Sequence, residues 1–353
     1  MNSKTSRRVG RALVLAWVGA LLALSLSGCK VVAFRLAPTP APSPTLMPTW
    51  APSPTATPTS TCTLTPTATA TPTLTSTPTP TATPTPTTAP LRAQVELSPP
   101  QLIQGHTAVV HVRTSRHSRI LGRWGEQAVG FLSPSGRDHL AFLGVGALAA
   151  TGTYTLSLAL AADDGQQLTT TVPIQVLPGD YEHEEIRFTP EVSKLLDPKI
   201  TQPERVRVAE AYTTFSPQMA WEGLFAWPAQ GSTTSMFGAR RGYGGGVTTY
   251  HEGIDIGGIT GEPVHAAAAG VVVLAETLQV RGNAVILDHG AGVLSGYYHL
   301  DRIAVQAGQV VGQGDLLGAM GATGLVTGSH LHWELRVGGV AVDPREWTER
   351  VFP

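Results

Sequence analysis

A strand-like alternation runs through His330-Leu331-His332-Trp333-Glu334-Leu335. In an extended chain, successive side chains point to opposite faces of the sheet. The two histidines and the glutamate therefore share one face, and the three apolar side chains share the other. We predict a β-strand here, with a polar groove on one side and the core of a folded domain on the other.

The segment from Tyr250 to Gly257 shows the same alternation. Extended backbone would place His251 and Asp255 on one face and the two isoleucines between and after them on the other. Gly253 lies between the two polar residues and leaves room beside them. Two potential metal ligands thus share a face.

A further histidine, His299, lies in Tyr297-Tyr298-His299-Leu300. The same period of two predicts that His299 shares a face with Tyr297, whereas Tyr298 and Leu300 take the opposite face. Three predicted strands therefore carry candidate functional side chains.

These strands together supply a residue set that suits a catalytic zinc site, and its members are His251, Asp255, His299, His330 and His332. Such a site usually takes three protein ligands and leaves a fourth position open for water. The set exceeds that need by two. The surplus suits hydrolysis, because the attacking water must lose a proton and the leaving amine must gain one. A neutral imidazole can do both near neutral pH.

Six short motifs follow one another in the last part of the chain, namely Ser235-Met236-Phe237-Gly238-Ala239-Arg240, His251 to Asp255, Gly282-Asn283, Tyr298-His299-Leu300, Gly321-Ala322-Thr323-Gly324 and Gly328-Ser329-His330-Leu331-His332. Their order and spacing resemble those of the lysostaphin-type zinc metallopeptidases, also called LytM-domain or β-lytic peptidases. The resemblance covers roughly residues 223–347, and the combination of H-x-x-x-D with H-x-H is its most specific part.

The resemblance implies a role for each residue of the set. His251, Asp255 and His332 would bind one Zn²⁺ per chain. His330 and His299 would be the catalytic histidines that flank a zinc-bound water, polarise it and steady the tetrahedral intermediate. The proline that usually precedes H-x-H in the family is Ser329 here, which affects the shape of a loop rather than the ligand set.

The same resemblance implies a zinc metalloendopeptidase that hydrolyses peptide bonds of bacterial peptidoglycan, either in stem-peptide cross-links or in glycine bridges. The alternative is a non-catalytic wall-binding module or an activator of a cell-wall amidase, because some relatives have lost ligands. All five positions are filled in this chain. A third class, a structural lipoprotein on a stalk, does not account for the histidine cluster.

Other polar residues of this region have two interpretations each. Glu334 either supports a ligand from behind or ends a solvated strand. Arg240 and Asn283 either line the substrate cleft or stabilise turns. We do not expect His265 or His289 to touch the metal, and Gly244-Gly245-Gly246 is typical of a flexible loop beside the cleft.

The N-terminus predicts export. Residues 1–28 combine four basic side chains with an apolar stretch from Ala12 to Ser25, which has the length of a signal peptide and is short for a membrane span. Leu26-Ser27-Gly28-Cys29 resembles the lipobox of bacterial lipoproteins, with lipidation of Cys29. We therefore expect an extracytoplasmic protein that is lipid-anchored to the cell membrane and faces the wall. The alternative is an uncleaved membrane helix with an incidental cysteine.

A linker rich in threonine and proline follows, and we place it at residues 29–90. Its Ala37–Pro90 part has almost no large apolar side chain and cannot form a core. As extended polyproline II it would reach up to about 170 Å at about 3.1 Å per residue, which suits a stalk. Cys62 lies within it, and we expect a solvent-exposed thiol there.

The remainder predicts an all-β dominated, multidomain chain. Short alternating runs over residues 91–178 favour an immunoglobulin-like β-sandwich that serves as a spacer or wall contact, with four histidines on its surface, His106, His111, His117 and His139. Residues 179–222 favour a connector of short helices, which start near Thr189-Pro190 and Thr201. Residues 223–353 favour an antiparallel β-sheet peptidase domain, with a turn at Asp288-His289-Gly290.

Composition agrees with this division and excludes one class of partner. The 353 residues allow two modest domains besides non-globular segments. The formal net charge is -1, and residues 1–28 contain basic side chains but no acidic one. The rest of the chain is therefore mildly acidic, which argues against a nucleic-acid partner. We expect a monomer.

Overall fold

The structure is a computed structural model that describes residues 89–242 and 247–353. The predicted signal peptide, the lipidation site Cys29, Cys62, nearly all of the linker and the triglycine at 244–246 lie outside the described residues.

Strands dominate the described part, as the composition of its segments predicts. The strands before the connector helices are β1 (Ala93–Ser98), β2 (Gln101–Ile103), β3 (Thr107–Thr114), β4 (Ser118–Trp124), β5 (Gln127–Val129), β6 (Asp138–Gly144), β7 (Gly152–Ala162), β8 (Gln167–Leu177) and β9 (His183–Glu185). The helices that follow are α1 (Pro190–Ser193) and α2 (Pro198–Tyr212), with a 3₁₀ turn at Lys194–Leu196 between them.

The C-terminal elements are β10 (Ser232–Ser235), β11 (Arg240–Gly242), β12 (Val247–Tyr250), β13 (Gly253–Gly257), β14 (Pro263–His265), β15 (Gly270–Thr277), β16 (Asn283–Gly290), β17 (Val293–Leu300), β18 (Arg302–Ile303), β19 (Val310–Val311), β20 (Leu316–Ala319), β21 (His330–Val337), β22 (Val340–Val342) and α3 (Pro344–Glu349). Among the helices of the described residues, none combines the length and the apolar character needed to cross a membrane.

Two sheets form the N-terminal part. One has the strand order β1-β3-β6 and the other has the order β2-β8-β7-β4-β5. All pairings are antiparallel except β2 with β8. Val110 of the first sheet and Leu158 and Ile174 of the second belong to one buried cluster, so the two sheets pack on a common core. The immunoglobulin-like topology stays a prediction.

In the smaller sheet, β3 and β6 are largely buried on both faces, whereas β1 alternates between half-buried and exposed residues. The alternating pattern predicts one buried face, but Val109 and Phe142 point away from the sandwich core into a second cluster. There Phe142 meets Trp221 and Trp347, with ring centroids 5.7 and 5.9 Å apart. A strand pattern reveals one apolar face at a time, and large aromatic side chains from distant segments cover the other face here.

The prediction that all four sandwich histidines are surface residues is wrong for His139. Its side chain is fully buried, and its Nδ1 lies 2.8 Å from Oγ of Ser133. Burial lowers the pKa of His139, so this histidine is neutral at neutral pH. The four histidines form no metal-binding group within residues 89–242.

The connector contains more than helices. Thr189 caps α1 by accepting a hydrogen bond from the backbone N–H of Val192, as its sequence predicts. Helix α2 begins at Pro198 rather than at Thr201, because Asp197 supplies the N-cap and Pro198 occupies the first turn. The unpredicted strand β9 pairs in parallel with β11 and ties the connector to the C-terminal part.

The main C-terminal sheet has the order β10-β13-β21-β17-β16-β15-β19, with β22 beside β21. All its pairings are antiparallel. The predicted turn at residues 288–290 is wrong, since β16 continues to Gly290. The chain reverses instead at Ala291-Gly292, where φ is 54° and 76°. Glycine removes the steric cost of this left-handed turn at one of the two positions.

Candidate metal centre

Two neighbouring strands bring the centre of the site together. Strands β13 and β21 are antiparallel, and their register places Asp255 opposite His332. On the other side of these strands, Ile254 and Trp333 are fully buried in the core. The alternation predicted for both segments therefore anchors the sheet with one set of side chains and presents polar groups with the other.

His251 completes the group from just outside the strand. Strand β13 begins only at Gly253, so His251 lies in the preceding loop. Its Nε2 is 2.9 Å from Oδ1 of Asp255 and 2.9 Å from Nδ1 of His332. The third side of the triangle, from His332 Nδ1 to Asp255 Oδ1, measures 2.8 Å. Three potential ligand atoms thus converge on one point.

We assign the histidine tautomers from their other partners. Nδ1 of His251 lies 2.9 Å from the carbonyl oxygen of Met236. A carbonyl only accepts, so this nitrogen carries the proton and Nε2 keeps its lone pair. In His332, Nε2 lies 3.3 Å from Oε1 of Glu334 and donates to that carboxylate, which leaves the Nδ1 lone pair free.

When both imidazole rings are neutral, the converging atoms are therefore three lone pairs without a donor among them. Such a group is repulsive unless a proton or a metal cation lies between the atoms. Two imidazole nitrogens and one carboxylate oxygen are ligands that zinc accepts in catalytic sites. The residues present fit a zinc ion.

The surroundings favour positive charge at this point. Burial lowers the pKa of His332, but the carboxylates of Asp255 and Glu334 outweigh burial and raise it to about 9. Burial would raise the pKa of Asp255, yet the close approach of the His251 and His332 rings holds that pKa well below its usual range. A pocket that holds a proton this firmly is also suited to a metal cation.

The second oxygen of Asp255 is held separately. Oδ2 accepts a hydrogen bond of 3.1 Å from Nη2 of Arg241. The Arg241 guanidinium also donates from Nε to Glu184 at 3.2 Å and from Nη2 to Oγ of Ser235 at 3.0 Å. These contacts fix the carboxylate so that Oδ1 faces the two histidines.

His299 and His330 lie beside the cluster with a shared arrangement. Nδ1 of His299 donates to the carbonyl of Thr323 at 2.8 Å, and Nδ1 of His330 donates to the carbonyl of Gly328 at 2.9 Å. Their ring centroids are 5.0 Å apart, and Nε2 of His330 is 3.7 Å from Oδ1 of Asp255. Each ring therefore keeps an Nε2 lone pair that can accept a proton.

The predicted facing of His299 is wrong. Tyr297 and Leu300 point into the core, whereas Tyr298 packs against the His332 ring and His299 lies on that same polar side. The cause is a break in the strand, because His299 has φ of 63° and the pairing with β16 shifts register there. A left-handed residue interrupts the period of two.

Burial controls the charge of His299. It lowers the pKa of His299 to about 3, and the neighbouring His332 and His330 add to this effect. The ring is therefore neutral across the neutral pH range and can accept a hydrogen bond from water.

Glu334 is buried and does not end a solvated strand. Its side chain accepts hydrogen bonds from His332, from Nε of Arg336 at 3.1 Å and from the hydroxyl of Tyr212 at 3.1 Å. Of its two sequence interpretations, the structure supports the one in which Glu334 braces a ligand.

Of the two candidate cleft residues, Asn283 fits its turn-stabilising alternative. Asn283 donates to the carbonyls of Leu300 and Asp301, at 3.0 and 2.9 Å, and so stabilises a turn. Arg240 is exposed, and its neighbour Arg241 lines the cavity instead. No sequence pattern singled out Arg241, although its position directly after the Ser235–Arg240 motif could have suggested it.

His265 and His289 take no part in the cluster. His289 is buried, donates through Nδ1 to the carbonyl of Ala269 at 2.7 Å and contacts Oγ of Ser295 through Nε2 at 2.7 Å. His265 is half-buried in β14. Neither ring is grouped with other ligand-type side chains in the described part of the chain.

Two cavities meet at the site. One has a volume of about 590 Å³ and includes Asp255, His299, His330 and His332 in its wall. The other has a volume of about 620 Å³ and lies toward α2, with His251 and Glu334 in its wall. Phe188 and Leu325 border both cavities. An extended ligand could therefore lie on both sides of the cluster.

A known protein family matches the part of the chain that carries this cluster. The family model for peptidase family M23 matches residues 249–344, which include His251, Asp255, His299, His330 and His332. The chain contains a peptidase family M23 domain. The resemblance to lysostaphin-type, LytM-domain peptidases is thereby confirmed.

Some relatives of the M23 domain are named as endopeptidases and others as hydrolase activators. Peptidoglycan DD-endopeptidase ShyA of Vibrio cholerae serotype O1 is 42% identical over 93 residues, which are 26% of this chain and 22% of ShyA. Murein hydrolase activator NlpD of Salmonella typhimurium is 36% identical over 137 residues, which are 38% of this chain and 33% of NlpD. The chain thus spans 22% and 33% of the length of these two relatives.

A solved structure resembles more than the M23 domain. A crystal structure assigned to peptidase M23 from Pseudomonas aeruginosa matches with a TM-score of 0.51 and 26% identity. The match covers 70% of this chain and 94% of that chain. This share exceeds residues 249–344, so the likeness extends to the strands and helices that precede the M23 domain.

Proposed function

We propose that the chain is a zinc metalloendopeptidase that hydrolyses peptide bonds of bacterial peptidoglycan. The observation that carries the proposal is the convergence of three potential ligand atoms, from His251, Asp255 and His332, beside the Nε2 atoms of two further histidines. Structural histidines need no such arrangement. The names of relatives such as ShyA support the peptidoglycan substrate.

Three atoms would hold the zinc ion, and these are Nε2 of His251, Oδ1 of Asp255 and Nδ1 of His332. When bound, zinc supplies a Lewis acid that polarises the scissile carbonyl and makes water more acidic. Arg241 and Glu334 keep the carboxylate and one imidazole aimed at the metal position.

His330 and His299 would act on protons. With Nδ1–H fixed to a backbone carbonyl, each ring offers Nε2 to the cavity. One ring would take a proton from the attacking water as its oxygen bonds to the peptide carbon. A protonated ring would then donate to the leaving amine as the C–N bond breaks. The other would accept a hydrogen bond from the attacking water through its Nε2 lone pair and so orient that water.

A second function is an activator of a cell-wall amidase. The NlpD relative, named a murein hydrolase activator, favours it. An activator needs a binding surface but no complete set of ligands and proton acceptors. The five filled positions therefore support the endopeptidase over the activator.

We also propose an extracytoplasmic, membrane-anchored location. The signal peptide and Cys29 support a lipoprotein on the outer side of a membrane, facing the wall, with the Thr/Pro-rich linker as a stalk. We propose a monomer whose N-terminal sandwich is immunoglobulin-like. Relatives such as the lipoprotein NlpD/LppB homolog of Pseudomonas aeruginosa support an anchored, wall-facing protein.

The test is digestion of purified peptidoglycan by the full chain, with zinc content measured in parallel. We expect about one zinc per chain and release of cross-link peptides. His332→Ala should lose zinc and activity, whereas His330→Ala should keep zinc and lose activity. Zinc binding without any change in the muropeptides would favour the activator.

A further inference from the structure

Two side chains from the connector reach the residues behind the metal ligands. Glu184 lies in β9, and Tyr212 is the last residue of α2. Both precede the segment that matches family M23, which starts at residue 249. They approach the cluster from different elements, so the connector contacts the centre at two places.

Tyr212 belongs to a buried hydrogen-bond chain that ends on His332. Its hydroxyl is 2.6 Å from the hydroxyl of Tyr298 and donates to Oε2 of Glu334 at 3.1 Å. Because the Tyr212 hydroxyl donates its hydrogen to Glu334, the Tyr298 hydroxyl is the donor in its hydrogen bond to Tyr212. The other oxygen of Glu334 accepts from His332. Glu334 is thus held between a helix residue and a ligand.

Burial makes this chain sensitive to the loss of a partner. Tyr212 and Glu334 are each 3% exposed, and Tyr298 is fully buried. Water cannot readily replace a missing hydroxyl at such a depth. The Arg336 guanidinium, whose Cζ lies 4.6 Å from the centre of the Tyr212 ring, also donates to Glu334. Tyr212 therefore helps to set the position of the carboxylate.

Glu184 acts on the opposite side of the cluster. Its carboxylate accepts from Oγ of Ser235 at 2.8 Å and from Nε of Arg241 at 3.2 Å. Ser235 contacts Nδ1 of His251 at 2.9 Å, and Arg241 donates to Asp255. The Glu184 carboxylate thus holds Ser235 and Arg241 in place. These two side chains in turn contact His251 and Asp255, respectively.

We infer that the connector contributes directly to zinc binding at the metal centre. Tyr212 and Glu184 are positioning residues that set the zinc affinity and the geometry of the ligands. Tyr212 acts on His332 through Glu334, and Glu184 acts on His251 and Asp255 through Ser235 and Arg241. This inference rests on the proposed zinc site. Tyr212 and Glu184, which precede residues 249–344, would thus support a metal site that lies within those residues.

The test compares Tyr212→Phe and Glu184→Gln with the wild-type full chain. The controls are Glu210→Gln on the same helix and Glu182→Gln two residues before Glu184, both at exposed positions. Zinc dissociation constants are measured by competition with a chromophoric chelator, and ligand geometry is measured from the visible absorption of the Co²⁺-substituted protein. Thermal unfolding in excess chelator reports the effect on the metal-free fold.

We expect each of the two variants to bind zinc about 10-fold more weakly or worse, the usual size of an effect behind a ligand. The cobalt bands should shift, and both controls should match the wild type within about twofold. If Tyr212→Phe fails to fold, Glu184→Gln decides alone. Zinc affinity and cobalt spectra that equal the wild type in the variants would overturn the inference. A wild type that binds no zinc would instead overturn the proposed function.

Discussion

Asp255 and His332 face each other across two adjacent antiparallel strands, with Oδ1 of the first 2.8 Å from Nδ1 of the second. A sheet register is fixed by many backbone hydrogen bonds, so the positions of these two candidate ligands do not depend on loops. His251 approaches the pair from the preceding loop and is 1% exposed. The site is therefore largely assembled before a metal binds.

Replacement of Asp255 by asparagine should weaken zinc binding by more than about 100-fold, since a ligand contributes more than the 10- to 100-fold typical of residues behind it. The change keeps the size of the side chain but removes the charge that balances the cation. Zinc retention after dialysis, measured by mass spectrometry of metals, checks this. Asp301→Asn, at an exposed turn, is the matched control. A stoichiometric zinc content in Asp255→Asn would contradict the ligand role.

Replacement of His299 by asparagine should lower kcat by about 10²- to 10⁴-fold, the usual contribution of a positioned acid or base. Asparagine tolerates the left-handed backbone, where φ is 63°, better than most residues do. The fold and the zinc content should therefore persist. Peptide release from peptidoglycan gives the rate, and a variant with wild-type kcat would remove His299 from the mechanism.

Zinc binding should release protons at neutral pH. In the metal-free protein the pKa of His332 is raised to about 9 from an ordinary value of 6.5. A raised pKa means that the proton stabilises the folded state below pH 6.5, and that this stabilisation is lost as pH rises toward 9. The bound zinc must displace that proton.

We therefore expect about one proton released per zinc at pH 7, and a zinc affinity that increases about tenfold per pH unit up to about pH 9. Calorimetry in buffers of different ionisation enthalpy counts the protons. A pH-independent affinity between pH 6 and 8 would show that His332 is already neutral before metal binds.

Truncation of Phe142 to alanine should destabilise the fold by about 3 to 5 kcal/mol, the range for a large buried aromatic side chain. Phe142 is 5% exposed and contacts Trp221, Trp347 and Phe352. Leu121→Ala, at a side chain that is 75% exposed, should change stability by less than about 0.5 kcal/mol. Calorimetry should show one transition for residues 89–353, and separate transitions for sandwich and peptidase parts would contradict a shared core.

Sequence patterns predicted the parts of the site that regular strands determine. The alternation around Asp255 and His332 placed both on a polar face, because a regular strand obeys a period of two. His299 was placed on the wrong face because its left-handed backbone breaks that period. No local pattern signals such a break when the residue is not glycine.

Residues brought in by distant packing could not be predicted. Tyr212 and Glu184 join the centre through contacts with residues more than 50 positions away. Glu334 had two interpretations in the sequence, and its burial under α2 decided between them. The start of α2, by contrast, was predictable from sequence, because Asp197-Pro198 is itself a strong capping signal that precedes Thr201.

Strands β3 and β6 of the smaller N-terminal sheet are largely buried on both faces, and this limits how the protein can be divided. Its Val109 and Phe142 side chains belong to the same cluster as Trp333 and Leu335 of β21. Transfer of the M23 domain alone to another carrier protein would expose that cluster to water. The β-sandwich must be transferred together with the M23 domain, or polar residues must replace the apolar side chains that its removal exposes.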